Sequence, residues 1–516
     1  VKSLILLLSL WVFWSGPAAT QAASLGYVPM DDRPVNLEYV LDSARAASLN
    51  ITAPAQADIA GRDRQGSVAN LWQWVLEQAP TADALVLSSD SLIYGGLVPS
   101  RTHDFSESQL TERLEFFREL KRKAPALRIY VFGTIMRTPK MSAGATEPLY
   151  YESFGPQIFR ITALEDKAEQ LGLSAEEKQQ LQHLLGKVPA VHLTDWRSRR
   201  AKNFKVNLQL QQYVRDGVID YLLLGRDDSS PLSASHQEGL RLSASGSDIS
   251  PNGFLSIPGA DNLGMSMVVR AANATTFRMP FVKVFYAPGV GGATVASYED
   301  RPLGETIPQH IQVSGGLKLD WTEKPDLILA VNTPESGVTH EANGSENVAT
   351  ASPATKRFVQ AVKTELDAAR PVAIGDVAFG NGADNALMQE LWRQGILPRL
   401  AAYSGWNTAG NTLGYAVGQG ILALQTADDK RKKLLAVRYL DDWAYQANIR
   451  SELLNHIVYP AGNDGQRLNQ LTPQLTRAAG DRIRHFANQY LWPIPAESII
   501  VQFPWNRMFE LGVQVR

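Results

Sequence analysis

Two adjacent aspartates, Asp227 and Asp228, follow the apolar run Tyr221–Leu224 and the dipeptide Gly225-Arg226. Carboxylates held close together repel, and the repulsion raises one pKa. That is how a carboxylic acid comes to donate a proton near neutral pH. The pair is therefore the candidate acid pair of a hydrolytic reaction. Arg226 opposes this role wherever it points inward, and an aspartate before Ser229-Ser230-Pro231 can equally cap a helix or turn the chain.

Similar groups recur after other apolar runs. Asp31-Asp32-Arg33 follows Leu25–Met30, with an Asp–Arg ion pair that holds the loop as its structural alternative. Asp90 precedes Tyr94-Gly95-Gly96, where two glycines permit either close backbone approach to a ligand or a tight turn. Asp376 ends the run Val372–Ile374. Asn407 and Asn411, spaced i,i+4 after Trp406, would share one face of a helix starting there. The competing reading makes Asn407 or Thr408 the N-cap and buries Trp406. Gathered at one rim, Asp31, Asp32, Arg33, Asp90, Asp376, Asn407 and Asn411 would bind hydroxyl groups, while Tyr94 and Trp406 would face sugar rings. The tetrapeptide Gly-Ala-Asp-Asn occurs twice, at 259–262 and 382–385, each time ahead of a helical segment. An aspartate so placed reads as a helix cap.

Several chemistries are excluded or unsupported. The 516 residues contain no cysteine, which removes disulfides, thiolate nucleophiles, Fe–S clusters and cysteine-ligated zinc. None of the eight histidines forms an HxH or HExxH pair, and there is no GxSxG elbow. Asp31, Asp90, Asp227 and Asp376 could offer oxygen ligands to Mg²⁺ or Ca²⁺, but no fixed-spacing loop supports it, so no metal or cofactor is expected. Gly289-Val290-Gly291-Gly292 matches no phosphate cradle. A formal charge of −2 provides no field for nucleic acid.

The apolar runs that must position these residues are continuous, as in strands covered on both faces of a parallel sheet. There are eight: Leu25–Met30, Ala84–Leu87, Ile129–Phe132, Tyr221–Leu224, Phe281–Tyr286, Leu327–Val331, Val372–Ile374 and Leu400–Tyr403, with Ile51–Ala53 a weaker ninth. Helices are predicted at Ser67–Gln78, Ser106–Lys123 (opened by a Ser106/Gln109 capping box), Ala175–Leu185, Asn203–Asp216, Ala354–Ala369 and Asn385–Gln394. The class is α/β. The expectation is a (β/α)8-type barrel, complete or distorted, over residues 24–420, with a helical C-terminal appendage over 421–516. The alternative is two doubly wound lobes divided near 280–302. Either fold binds ligands at the carboxyl ends of its strands.

Lys2, the apolar run Leu4–Trp14 and the small residues Ala18–Ala23 have the order and length of a secretory signal peptide over 1–23. A periplasmic or secreted location follows, with no membrane attachment after cleavage.

Pro29-Met30-Asp31-Asp32-Arg33-Pro34-Val35-Asn36, Ser89-Asp90-Ser91-Leu92-Ile93-Tyr94-Gly95-Gly96-Leu97, Gly225-Arg226-Asp227-Asp228 and Gly405-Trp406-Asn407-Thr408 resemble an uncharacterised bacterial family, filed as domain of unknown function 4127. The resemblance runs from about Leu25 to the C-terminal region and implies no particular activity. A looser similarity, resting on Asp227-Asp228 alone, is to barrel hexosaminidases with adjacent acids after a central strand. The sequence thus leads to an exported carbohydrate-processing hydrolase acting on a small-molecule or glycan substrate. Its alternative is an exported two-lobed protein that binds a small polar ligand without catalysis.

Overall fold

The computed structural model describes residues 23–142 and 145–516. The candidate signal peptide therefore lies almost wholly outside the described residues. Among these, no helix is long and apolar enough to cross a membrane.

The fold is mixed α/β and built on two parallel sheets. The first contains β1 (Ser24–Val28), β2 (Asn50–Thr52), β3 (Ala84–Ser88), β4 (Arg128–Ile135), β5 (Tyr221–Arg226) and β6 (Phe254–Pro258), in the order β2-β1-β3-β4-β5-β6. The second takes its strands from β7 (Phe281–Tyr286), β8 (Leu317–Lys318), β9 (Leu327–Asn332), β11 (Val372–Asp376) and β13 (Ala402–Ser404), in the order β13-β11-β9-β7-β8. Two short strands, β10 (His340–Glu341) and β12 (Phe379–Gly380), pair separately. The eight apolar runs divide four and four between the two large sheets, and no pairing among the described residues joins one sheet to the other. In both, the first strand of the sheet lies between the second and third.

Alternation along each strand sends its side chains to two cores. Tyr27, Val86, Phe132 and Leu223 of the first sheet share a core with Leu329, Val331 and Ala373 of the second. Between the sheets lie the helices Glu38–Ala46, Leu263–Thr275, Leu303–Val313 and Ala409–Ala423. Leu85, Leu87, Val131 and Leu222 pack instead on the helices Val68–Gln78, Glu107–Lys123 and Ala190–Arg215. Ile328, Ala330 and Ile374 meet Pro353–Asp367 and Asn385–Arg393 on the far face of the second sheet. The order of layers is helices, sheet, helices, sheet, helices. The predicted capping box is present at Ser106 and Gln109.

The chain beyond residue 421 is more than a helical appendage. It holds the helices Asp428–Arg438 and Thr472–Tyr490, an antiparallel hairpin of β14 (Ile499–Gln502) and β15 (Gly512–Val515), and a core of its own. The loop of that hairpin reaches back to the strand ends of the first sheet.

Candidate functional site

A cavity of about 370 Å³ opens at the carboxyl ends of the first sheet. Its wall takes Arg33 from the turn after β1, Leu97 and Arg101 after β3, Arg137 after β4, Asp227 and Asp228 after β5, and Asp261 after β6. The other sheet contributes Tyr298, Asn381 and Asn407, and the C-terminal region closes it with Gln466, Trp505, Arg507 and Phe509. Ligands of open parallel sheets bind in this position, where the strand order reverses between β1 and β3.

Asp227 and Asp228 both reach the cavity, each tied to an arginine. Arg101 donates to Asp227 and also bonds Glu147 at 3.3 Å. Arg137 bridges Asp228 at 2.7 Å and Glu147 at 2.7 Å. Arg226 turns away from the pair to Asp300 at 2.6 Å, so it does not act as their counter-ion. Burial raises the Asp227 pKa from its ordinary value, and the neighbouring charges of Asp228 and Asp261 add to this. Arg101 and Arg137 oppose the rise without cancelling it.

Asp261 behaves in the opposite way. Burial alone would raise its pKa, but Arg33 overcomes that by charge and hydrogen bonding and holds the carboxyl below its ordinary value. Arg33 grips Asp261 at 2.6 and 3.2 Å and Asp31 at 2.8–3.1 Å, with Asn407 Nδ2 3.3 Å from the same Asp261 carboxylate. Asp261 is free for this because it does not cap the helix that follows. No side chain does; Asn411, on the helix Ala409–Ala423, instead anchors the turn ahead of it, its Oδ1 accepting the backbone N–H of Ala260 and of Asp261 at 2.9 Å and of Asn262 at 3.4 Å.

Backbone geometry at the wall is unusual. Among the described residues nine non-glycines have positive φ, and four of them line this one cavity: Asp228 (40°), Tyr298 (66°), Asn381 (59°) and Asn407 (58°). Such conformations cost on the order of 1 kcal/mol or more each and persist where surrounding bonds enforce them. Here Glu341 accepts from the Tyr298 hydroxyl at 3.0 Å and from Asn381 Nδ2 at 2.7 Å. Asn381 N–H in turn donates to the Asn407 carbonyl at 2.8 Å. A continuous chain of bonds thus runs from Glu341 to Asp261.

The remaining sequence-derived candidates take other places. Asp31 is buried beneath Arg33 and orients it, the ion-pair alternative, and it also accepts from Asn36 at 2.9 Å. Asp32 accepts from Trp505 Nε1 at 2.8 Å and so fixes a cavity ring. Asp90 is buried and accepts from Thr134 N–H and Oγ1 at 2.9 and 3.0 Å; burial pushes its pKa up to about 6. Tyr94 does not face the cavity but stacks in the core on His103, 4.9 Å between centroids. Gly95 and Gly96, at φ 89° and 131°, make a tight turn against Gly66 and Ala60. Trp406 is likewise buried, packed against Phe509 at 5.7 Å. Thr408, not Asn407, caps the helix Ala409–Ala423, so Asn407 and Asn411 share no helical face. Asp376 is not part of the wall; it lies in a buried cluster with Asn332, Asp384 and Tyr403. Asp31, Asp90, Asp227 and Asp376 do not converge, and the described residues contain no group of three or more acidic or histidine side chains placed to hold a metal ion.

Sequence reasoning missed Arg101, Arg137, Asp261, Tyr298, Trp505, Arg507 and Phe509. For Asp261 a signal existed: a conspicuous Gly-Ala-Asp-Asn after a strand end. The hairpin-loop aromatics carried none, because their distance along the chain says nothing about their approach to β1.

No curated protein and no solved structure matches the chain. One family does match it, over residues 25–514, and with it the motifs that build the wall: the chain belongs to the family described as Protein of unknown function (DUF4127).

Proposed function

We propose that this is an exported carbohydrate-processing hydrolase whose reaction takes place in the cavity at the ends of the first sheet. The observation that carries the reading is a pair of carboxyl groups on one wall with pKa values pushed apart: Asp227 upward, Asp261 downward. Such a division assigns a proton donor and an ionised partner. Asp227 then protonates the leaving oxygen, and Asp261, kept charged by Arg33, activates water or stabilises positive charge developing on the sugar. Asp228 is a hydroxyl-binding neighbour rather than the second member of the acid pair. Asn381 and Asn407 offer amides to further hydroxyls, and Phe509 and Tyr298 offer ring faces. On this reading the two sheets are doubly wound lobes that share one helix layer. Export is supported by the leader-like run Leu4–Trp14.

A second reading keeps the ligand and removes the chemistry. It draws on the ion pairs that occupy both Asp227 and Asp228, since paired carboxylates serve hydrogen bonding to sugar hydroxyls as well as proton transfer. Turnover of aryl glycosides and cell-wall glycans by the mature chain, with and without EDTA, separates the two. The hydrolase requires turnover that Asp227→Asn and Asp261→Asn each lower by about 10²–10⁴-fold, the range for loss of a general acid or base. No turnover, with glycan fragments still raising the Tm, leaves the binding protein.

A further inference from the structure

The amino ends of the two sheets, opposite the cavity, carry apolar side chains that the fold does not use. Phe277 stands just past the C-terminal end of the helix Leu263–Thr275 at φ 55°. Glycine occupies that left-handed position at least cost. The Phe277 ring is 89 % exposed and lies 5.8 Å from the Arg128 guanidinium. Neither backbone geometry nor core packing therefore selects a phenylalanine there. Met279 and Phe281 follow at alternate positions, and Leu317 pairs in register with Phe281 across β7 and β8; all three are exposed. Trp321, 80 % exposed, is on the loop from β8 to β9. That loop is tied to the start of β7 at both ends, Leu319 N–H donating to the Val282 carbonyl and Asp326 N–H to that of Phe281, each at 2.9 Å. Single exposed apolar residues need no explanation, but five gathered at one corner mark a surface that meets a partner.

Cations flank these side chains. Arg128 Nη1 donates to the Ala274 carbonyl at 2.8 Å and Arg278 Nη1 to Gln425 Oε1 at 2.9 Å, and among the described residues neither forms an ion pair. The nearby acids are engaged: Asp83 accepts Ser24 N–H at 2.8 Å, Asp326 accepts Phe281 N–H at 2.7 Å, and Asp320 pairs with Lys318. Glu323 and Lys324 offset each other beside Trp321. The partner follows from where the chain enters the fold. Ala23 lines a groove with Ser24, Asn50, Arg128, Phe277 and Arg278, so the leader-like run Leu4–Trp14 joins the fold at this corner, within a chain reach of about 30 Å. On the export reading that run occupies the bilayer until it is cut. The amino ends of the sheets then face the membrane and the cavity faces away from it. We propose that this corner is a membrane-docking surface: Phe277, Met279, Phe281, Leu317 and Trp321 enter the headgroup region of an anionic bilayer, and Arg128 and Arg278 meet its phosphates. The mature chain then stays at the membrane surface, against the expectation that cleavage ends its attachment. Aromatic rings flanked by basic residues suit the headgroup region, where one side of the ring is apolar and the other wet. In a two-fold dimer through the same corner, Arg128 and Arg278 would be drawn towards their own copies.

This surface goes beyond the carbohydrate reading and takes from it only the direction of export. The mature chain, which lacks Leu4–Trp14, should co-sediment with vesicles of phosphatidylglycerol and phosphatidylcholine. Binding should weaken as salt is raised and be lower on phosphatidylcholine alone. Phe277→Ser combined with Trp321→Ser should lower the partition coefficient by at least about tenfold, because two rings no longer leave water. Arg278→Gln should reduce the preference for anionic vesicles. All three positions are exposed, so the Tm should not change. Brominated acyl chains should quench the tryptophan fluorescence of the wild-type chain more than that of Trp321→Phe. Absence of binding to either vesicle, binding untouched by the double serine variant, or a concentration-dependent dimer that this variant dissolves overturns the proposal. Vesicle binding without glycan turnover retains the surface and removes the hydrolase; turnover without vesicle binding does the reverse.

Discussion

Two stretches of this chain have the same four residues and different fates. Gly382-Ala383-Asp384-Asn385 and Gly259-Ala260-Asp261-Asn262 each follow a strand and lead into a helix. At the first, Asp384 caps its own helix, accepting from Ala386 and Leu387 N–H at 2.8 and 3.3 Å, and its other oxygen takes Asn332 at 3.0 Å. At the second, no side chain caps the helix: Asn411, from a distant segment, accepts the N–H groups of the turn before it, and Asp261 turns to Arg33 and the cavity. A local motif specifies which groups need satisfying but not which partner satisfies them. Both regions also hold carboxyls whose pKa is raised by burial, Asp376 to about 7 in one and Asp227 in the other. Asp227 lines the cavity, whereas Asp376 is wholly buried. Perturbed titration therefore marks a functional candidate here only where a ligand has room to meet it.

The comparison can be broken most directly at Asp384. Asp384→Ala removes a cap and one of the two acceptors of the Asn332 amide, and should cost about 3 kcal/mol in denaturant unfolding while leaving ligand affinity intact. A loss of affinity equal to that of Asp261→Asn would mean that the two regions are not separate. Asn411→Ala should cost about 2 kcal/mol, since three N–H groups lose their acceptor. Unlike Asp384→Ala it should also lower turnover, because the turn that carries Asp261 loses its anchor; unchanged kinetics would show that this turn is held without Asn411.

A third expectation concerns pH. Asp90, Glu299 and Asp376, raised by burial to about 6, 8 and 7, favour the protonated form in the folded chain. The folded state then holds protons that the unfolded state releases above about pH 4, so this stabilisation is complete at low pH and fades as pH rises through 6 to 8. The Tm should fall from pH 5 to pH 8.5, and Asp376→Asn should flatten part of the slope. A Tm that climbs over this range would show that these carboxyls are ionised in the fold. The smallest effect is predicted for Tyr94→Phe: a change within about 0.5 kcal/mol and no change in ligand affinity, as the ring packs in the core. An affinity loss there would restore Tyr94 as a ring-facing wall.

Much was legible in the amino-acid sequence alone. Continuous apolar runs announced buried parallel strands, and their abrupt polar ends placed Asp227, Asp228, Arg33 and Asn407 at a rim, because strand ends are where a parallel sheet leaves polar groups uncovered. The capping box at Ser106 was legible for the same local reason: its two bonds close within four residues. The tertiary structure alone decided which runs share a sheet, since continuous apolar strands of either sheet look alike. It alone brought the hairpin loop at Trp505–Phe509 against β1, sent Tyr94 and Trp406 inward, and set Asp261 in the same wall as Asp227 and Asp228. Those outcomes depend on long-range pairs such as Arg33–Asp261 and Asn411–Asp261, which no local spacing encodes.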